Sequence, residues 1–221
     1  MECPKKKLIV YGTGSLAEKI FFYNKRDSLY DLVSFIDDNG SDVEFHGIPV
    51  IAYQDCLSRY SVEDYVFFVA IGYTNCNVGR EKVCKKLQDA GYKLINYISP
   101  NSIVFENVVL GSNILICDNV FVGHSSKVSD GVILSVGCIL SHENTIGKFS
   151  FLSSSVVLGG HAVVENNCFI GLHSTLRDSI KVREFNIVGS ASNVIKSTEP
   201  YSLTKGNPGI SEVRDIMTIK I

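Results

Sequence analysis

Aliphatic residues recur at every sixth position between Val104 and Val194. All sixteen positions of this column hold Val, Ile or Leu. A period of six matches neither the 3.6-residue turn of an α-helix nor the alternation of a simple strand. It predicts a parallel β-helix, in which stacked coils of short strands share one narrow core.

Two further columns accompany the aliphatic one. The residue two places before it is small or uncharged, and the residue after it is often glycine. We expect the small side chains to point into the core beside the aliphatics, and the glycines to lie where a Cβ would clash. The small column includes Ser126, Cys138, Ser150, Ala162, Cys168 and Ser174, and the glycines are Gly111, Gly123, Gly147, Gly159, Gly171 and Gly189.

The first 98 residues follow a different pattern. Short apolar runs at 8–11, 32–36, 65–70 and 93–97 predict strands, and helical spacing after the first run and over 78–90 predicts helices, with Gly91 as a C-terminal cap. Strands that alternate with helices indicate a small parallel α/β domain. We therefore divide the chain into 1–98, an α/β domain; 99–196, the β-helix; and 197–221, a loop over 199–209 and a short capping helix over 210–217.

A glycine-rich turn follows the first predicted strand. Gly12, Gly14 and Ala17 have the spacing of a dinucleotide fingerprint, and Asp37 and Asp38 end the second strand. Such a turn lets backbone N–H groups at a helix N-terminus approach a phosphate. The motif alone leaves three interpretations open: a nucleotide-type ligand, a hydride-transfer cofactor, or a structural turn. Fewer than a hundred residues is short for a complete dinucleotide fold.

Composition narrows the function classes. The net charge is −2 and the longest basic run is 5–7, so the chain has no electrostatic footprint for nucleic acid. It has no apolar stretch of membrane-spanning length and no signal-peptide pattern, which favours a cytoplasmic protein. Seven cysteines without C-x-x-C spacing are expected to be reduced thiols. We predict no metal site, because no His-x-x-x-His cluster occurs.

Histidines supply the candidate chemistry. His124 and His142 are eighteen residues apart, which is three hexads and places both on one corner of a triangular coil. Glu143 follows His142 and could orient its imidazole as a general base. His161 and His173 are interpreted as exposed polar turn residues elsewhere in the repeat.

Taken together, these motifs resemble a known family over the whole chain. The resemblance rests on the glycine-rich turn, the Ile-Asp-Asp strand end at 36–38, Val-Ala-Ile-Gly at 69–72 with Arg80 after it, Ser-His-Glu-x-x-Ile-Gly at 141–147, and Gly-Asn-Pro at 206–208. The chain resembles the bacterial sugar O-/N-acetyltransferases of the sialic-acid and bacillosamine pathways. The resemblance implies a left-handed β-helix behind a small Rossmann-like domain.

The resemblance also implies an activity. We expect acetyl-CoA-dependent N-acetylation of a nucleotide-linked amino-dideoxy sugar in glycan biosynthesis, by a homotrimer whose active sites lie between neighbouring β-helices. His142 would be the catalytic base and Glu143 its partner. The sugar nucleotide would be bound by Gly12, Gly14, Ser15, Asp37, Asp38, Ile71, Gly72, Arg80 and Ser135. Acetyl-CoA would be bound by Phe151, Gly160, Gly171, Leu172, Gly189, Ser190, Gly206 and Asn207.

Three positions depart from the family pattern. Phe151 replaces a histidine that many relatives carry near the acetyl group, Ser135 replaces an asparagine, and Ser15-Leu16 replaces a histidine of the glycine-rich turn. Phenylalanine cannot donate a hydrogen bond, so oxyanion stabilisation must come from elsewhere. Two alternatives therefore stay open: O-acetylation of a sugar such as sialic acid, and a non-catalytic nucleotide-sugar-binding scaffold.

Overall fold

A computed structural model describes residues 5–38 and 44–206. The N-terminal domain contains a six-stranded sheet in the order β3-β4-β2-β1-β5-β6, which is parallel except for the β3–β4 hairpin. Its elements are β1 (Lys7–Tyr11), α1 (Ser15–Asp27), β2 (Asp31–Asp37), β3 (Glu44–Phe45), β4 (Ile48–Ala52), α2 (Tyr53–Arg59), β5 (Tyr65–Val69), α3 (Val78–Asp89) and β6 (Lys93–Leu94). The predicted α/β domain is confirmed, and the hairpin and α2 are additions that the sequence pattern did not indicate.

The order of the strands places a crevice beside β1. The chain leaves β1 through α1 toward β2 on one side, and later returns to β5 on the other side. This reversal is a topological switch point, where ligands of open α/β sheets bind at the carboxyl ends of the strands. Gly12 lies there with φ +116°, and a Cβ on it would come within 2.9 Å of the Ala70 carbonyl oxygen. Glycine is therefore required at this position by both conformation and space.

The second part of the chain is a left-handed parallel β-helix. Its strands contain two residues each and pair in parallel with strands eighteen residues away in nearly every case. They form three faces, which we name by their first strands: the β7 face, the β8 face and the β9 face. The strands are β7 (Tyr97–Ile98), β8 (Ile103–Val104), β9 (Val109–Leu110), β10 (Leu115–Ile116), β11 (Phe121–Val122), β12 (Lys127–Val128), β13 (Ile133–Leu134), β14 (Ile139–Leu140), β15 (Thr145–Ile146), β16 (Phe151–Leu152), β17 (Val157–Leu158), β18 (Val163–Val164), β19 (Phe169–Ile170), β20 (Thr175–Leu176), β21 (Lys181–Val182), β22 (Ile187–Val188), β23 (Asn193–Val194) and β24 (Leu203–Thr204).

The predicted core columns are confirmed. Each aliphatic residue of the six-residue period is the second residue of a strand, and those from Ile116 to Val194 are at most 5% exposed. The small column is buried with it, since Ser126, Cys138 and Ser174 are all 0% exposed. Burying one such aliphatic side chain contributes roughly 1.5–3 kcal/mol, so a slip of register would be costly along the whole solenoid.

A left-handed backbone conformation recurs every six residues at the corners of the coil. Fourteen residues in steps of six, from Asn113 to Ala191, have left-handed φ values between 53° and 72°. Most of them are not glycine. The glycines that follow the aliphatics are instead required by space, because a Cβ on Gly147 would lie 2.5 Å from the Glu165 carbonyl carbon of the next coil. This agrees with the clash expected from the sequence.

Both ends of the β-helix differ from the predicted boundaries. β7 (Tyr97–Ile98) pairs with β10 and is the first strand of the solenoid, although 93–97 reads as a single strand of the α/β domain. Between β6 and β7, the Asn96 side chain accepts from the Ile114 N–H and donates to the Gly111 carbonyl oxygen, which ties this segment to the β-helix. Within the predicted loop, Leu203–Thr204 pairs with β22 as a further strand. The predicted capping helix over 210–217 lies outside the described residues.

The two domains are joined by charged and polar contacts. Near the C-terminus of α1, the Arg26 guanidinium donates to both carboxylate oxygens of Asp118 on the β-helix, at 2.6 and 2.9 Å. Ser99 also donates to this carboxylate, and Tyr97 donates to Asp27. Arg26, followed by the Ser99 hydroxyl, holds the pKa of Asp118 below its usual range. These contacts fix the orientation of the crevice relative to the coil.

Candidate active site

The crevice at the switch point is lined by the glycine-rich turn and by the end of β5. The cavity has a volume of about 290 Å³. Three residues predicted to bind the sugar nucleotide border it, namely Gly14, Ser15 and Gly72, and the rest of its lining is Leu16, Lys19, Ala70, Tyr73 and Phe151. Ser15 begins α1, so the free N–H groups of the first helical turn face this cavity. The arrangement suits an anionic group such as a phosphate.

Two acidic residues at the C-terminal end of β2, Asp37 and Asp38, bond to neighbouring elements. Thr13 of the glycine-rich turn donates to Asp37 at 3.2 Å. Asp38 accepts from the Tyr11 hydroxyl and pairs with Lys86 at 3.3 Å. The Tyr11 bond, and after it the Lys86 contacts, lower the pKa of Asp38. Both aspartates thus bond to β1 or to the glycine-rich turn, and neither is among the residues that line the cavity. Their contact with a sugar nucleotide stays a prediction.

Arg80 requires a correction. It was expected beside the sugar nucleotide, but it is fully buried at the contact between α3 and the β-helix. Its five N–H groups are all used: they donate to the carbonyl oxygens of Ile71, Gly72, Gly131 and Phe149 and to the Asn77 side chain. Burial lowers its pKa to about 10, so the guanidinium stays charged at neutral pH. Arg80 is thus a structural residue that fixes Ile71 and Gly72, and it has no donor left for a phosphate.

A groove continues from the crevice along the corner that follows the β7 face. It is lined by Tyr73, Ser135, Phe151, Ser153, Ser154, Phe169, Leu172 and Ser190. The groove therefore brings together Ser135, which was predicted to bind the sugar nucleotide, and Leu172 and Ser190, which were predicted to bind acetyl-CoA. Gly171, Gly189 and Gly206 stack on the same corner, where a Cβ on Gly171 would lie 2.6 Å from the Ser190 nitrogen. Asn207, also predicted to contact acetyl-CoA, lies outside the described residues.

An aromatic cluster stands where the crevice meets the groove. Tyr73 packs against Phe151 and Phe169, with ring centroids 5.2 and 4.7 Å apart. Tyr73 is exposed after β5 and was missed by the sequence analysis, since a lone tyrosine in a loop gives no signal of its partners. Phe151 therefore presents an apolar surface at this point of the groove.

The predicted base lies on a different corner. His142 connects β14 to β15, between the β8 and β9 faces, and its ring stacks on His124 of the coil below, with centroids 5.5 Å apart. This confirms the prediction, made from their eighteen-residue spacing, that both histidines lie on one corner of the coil. Its Nδ1 is 3.5 Å from Glu143 Oε2, and the side chain is 40% exposed. Above the ring lies Gly160, which was predicted to contact acetyl-CoA and is separated from the other residues of that set.

His161 joins this corner, which corrects its interpretation as a residue elsewhere in the repeat. It lies one coil above Glu143, and its Nε2 is 3.0 Å from Glu143 Oε2. The signal was present in the sequence, because Glu143 and His161 are also eighteen residues apart. Ligand atoms of His142, Glu143 and His161 lie within 4.8 Å of one another, a spacing that a metal ion could bridge. His173, by contrast, lies on the corner after the β7 face, as an exposed turn residue.

The cysteines that the structure describes take no part in these sites. Among the described residues, Cys56, Cys84, Cys117, Cys138 and Cys168 are buried free thiols and Cys76 is partly exposed. Burial raises the pKa of Cys138 and Cys168 to about 12. Such thiols are poor nucleophiles, because the thiolate is the reactive form.

Comparison with known proteins defines the class. A sequence model of the PglD N-terminal domain matches residues 7–87, so the α/β domain is similar in sequence to that domain. The chain therefore combines an α/β domain similar to the PglD N-terminal domain with a β-helix of six-residue repeats.

Three solved structures share this fold. The acetyltransferase domain of PglB from Neisseria gonorrhoeae has a TM-score of 0.83 at 23% identity, covering 92% of this chain and 98% of its own. PerB from Caulobacter crescentus, in complex with CoA and GDP-perosamine, has a TM-score of 0.82 at 24% identity, covering 90% and 94%. WeeI from Acinetobacter baumannii has a TM-score of 0.77 at 21% identity, covering 88% and 93%. The fold implied by the family resemblance is thus confirmed.

Proposed function

We propose that this protein is an acetyl-CoA-dependent N-acetyltransferase that acts on the amino group of a nucleotide-linked amino-dideoxy sugar. The proposal is supported by the PglD-type domain and by the fold shared with PerB, which was solved with CoA and GDP-perosamine. The crevice at the N-terminus of α1 would bind the nucleotide phosphates, and the apolar surface of Tyr73 and Phe151 would contact the sugar.

The observation that carries the proposal is the position of His142 relative to the crevice. The groove that continues from the crevice lies at the corner between the β7 and β8 faces, whereas His142 lies at the corner between the β8 and β9 faces. The β8 face separates these two corners, so one chain does not bring its own imidazole to its own crevice. A cyclic arrangement of copies solves this, because the His142 corner of one subunit can face the groove of its neighbour.

Exposed apolar residues support such an interface. Ile103 is 60% exposed, and Phe105 and Ile139 are also exposed, all on the β8 face or at the corner that follows it. Phe105 lies against His124, with centroids 6.3 Å apart. An apolar surface around the histidine corner would be buried by a second copy of the chain, and we propose a homotrimer.

The proposed reaction needs one base and no covalent enzyme intermediate. His142 accepts a proton from the sugar amine as the amine nitrogen bonds to the acetyl carbonyl carbon. The C–S bond then breaks, and the proton passes to the departing CoA thiolate. Glu143 would hold the imidazole with Nδ1 protonated and Nε2 free, and backbone N–H groups would stabilise the oxyanion in place of a side-chain donor at Phe151.

The reaction would take place in the cytoplasm, where free thiols such as the six described here persist. No helix among the described residues has the length and apolarity needed to cross a bilayer.

Release of the CoA thiol tests the reaction. The protein is incubated with acetyl-CoA and a panel of amino and hydroxyl sugar nucleotides and free sugars. We expect thiol release with a nucleotide-linked amino sugar, and a loss of about 10²–10⁴ in kcat for His142→Ala. Release only with hydroxyl acceptors would establish O-acetylation, and no release with any acceptor would favour a non-catalytic scaffold.

Mixed trimers test the shared site. His142→Ala lacks the base, and Ser15→Trp obstructs the crevice while leaving the base intact. Neither variant is active alone, but random mixing should restore activity at about a quarter of the interfaces of a cyclic trimer. A mixture as inactive as its components would show that base and crevice do not come from neighbouring subunits.

A further inference from the structure

Glu143 contacts two imidazoles through the same oxygen atom. Its Oε2 is 3.0 Å from His161 Nε2 and 3.5 Å from His142 Nδ1. The histidine that is closer to the carboxylate is therefore not the proposed base. A distance of 3.5 Å is at the outer limit of a hydrogen bond, whereas 3.0 Å is ordinary.

The three side chains are held by the coil itself. The backbone N–H of His161 donates to the His142 carbonyl oxygen at 3.0 Å, and the backbone N–H of Glu143 donates to the His124 carbonyl oxygen at 2.9 Å. Glu143 and His161 occupy equivalent left-handed corner positions of successive coils, with φ 53° and 58°. Their side chains therefore leave the backbone in the same direction, and the upper one reaches the lower one.

We propose that His161 is a positioning residue for the acetyl-transfer reaction. It holds the Glu143 carboxylate beside His142 Nδ1, so that the base keeps its proton on Nδ1 and presents an unprotonated Nε2 to the amine. This inference rests on the proposed function, and it extends the catalytic pair to His142–Glu143–His161. Without His161, a carboxylate that is 44% exposed would be free to turn toward water.

The chain suggests matched variants. His161→Phe keeps an aromatic ring but removes both nitrogens, and phenylalanine already occupies equivalent left-handed corners at Phe149 and Phe185. His161→Gln places an amide N–H near the position of Nε2. We expect His161→Phe to lower kcat about tenfold with the KM of both substrates unchanged, and His161→Gln to restore most of it. In a Glu143→Ala background, His161→Phe should have no further effect, because it acts through Glu143.

A second measurement does not depend on turnover. The ¹⁵N chemical shifts of the His142 ring report which nitrogen carries the proton. We expect the Nδ1–H tautomer in the wild type and His161→Gln, and a shift toward Nε2–H in His161→Phe. Spectra and assays are run with EDTA, so that a metal ion bridging the three side chains does not imitate the effect.

The outcomes are decisive. An unchanged tautomer together with an unchanged kcat in His161→Phe would overturn the proposal. A raised KM for acetyl-CoA with kcat unchanged would overturn it as well, since His161 would then bind substrate. If the wild type transfers acetyl to no acceptor, the proposed function fails, while the tautomer still shows whether His161 positions Glu143.

Discussion

Gly160 lies directly above the imidazole of His142. A Cβ built on Gly160 would be 2.5 Å from His142 Nε2 and 3.2 Å from Nδ1. Glycine therefore leaves the space that the ring occupies, with the His124 ring on its other side. The position of the proposed base thus depends on glycine at position 160 as much as on the side chains around the imidazole.

Gly160→Ala should displace His142. We expect kcat to fall about tenfold or more, because a base moved by 1 Å from its productive geometry loses much of its effect. We also expect a loss of about 1–3 kcal/mol in the free energy of unfolding, from overpacking. Urea titration and steady-state kinetics measure the two effects. In a His142→Ala background the stability cost of Gly160→Ala should largely disappear, and an equal cost in both backgrounds would contradict this account.

Arg80→Met should destabilise the protein. The substitution removes five hydrogen bonds and leaves four carbonyl oxygens, two of them in buried residues, without this donor. We expect a loss of about 3 kcal/mol or more in the free energy of unfolding, measured by urea titration. Lys82→Met, on the exposed side of the same helix, serves as the control and should change little. If Arg80→Met were instead as stable as the wild type and lost only its affinity for the nucleotide, Arg80 would belong to the substrate site.

Acid should weaken the contact between the domains through Asp118. The pKa of this carboxyl is lowered in the folded protein by Arg26 and Ser99. Its contribution to stability is therefore present above the unfolded pKa of about 4, and is lost as the pH falls through the lower folded pKa. Asp118→Asn should be less stable than the wild type at pH 7, and the difference between their urea midpoints should close below about pH 4. A difference that stays constant with pH would show that the ion pair does not contribute.

Phe151→Ala should affect substrate binding more than chemistry. It removes the ring that packs against Tyr73 and Phe169 where the crevice meets the groove. We expect the KM for the sugar nucleotide to rise about tenfold with a smaller change in kcat, since the lost contact is apolar and uniform along the reaction. Phe185→Ala, which removes a stacked pair with Tyr201 elsewhere on the β-helix, is the control. A fall in kcat alone would place Phe151 at the reacting atoms.

The sequence predicted most of the fold because the β-helix repeats one rule. The column from Ile116 to Val194 is buried as expected, and stacking eighteen residues apart placed His142 over His124. The same eighteen-residue spacing, applied to Glu143, identifies His161 as the residue stacked above it. His161 is the exposed turn residue that was expected, but its place on the His142 corner was missed because only histidine-to-histidine spacings were considered.

The α/β domain was harder to predict in detail. Arg80 follows the Val-Ala-Ile-Gly strand end that supports the family resemblance, and only three-dimensional packing shows that its donors face Gly131 and Phe149 across the domain contact. The hairpin of β3 and β4 was missed because Glu44–Phe45 is too short to give a periodic signal. Tyr73 was missed for a similar reason, since its role depends on the β-helix strands beside it.

The left-handed corners have a consequence for how this architecture changes over time. They accept Asn, Ser, Glu, Phe, His and Ala at equivalent positions, and they point away from the aliphatic interior. A single codon change at a corner can therefore install or remove a reactive group while the solenoid below it stays intact. New specificities could arise by exchanging side chains along one edge, with no rebuilding of the scaffold.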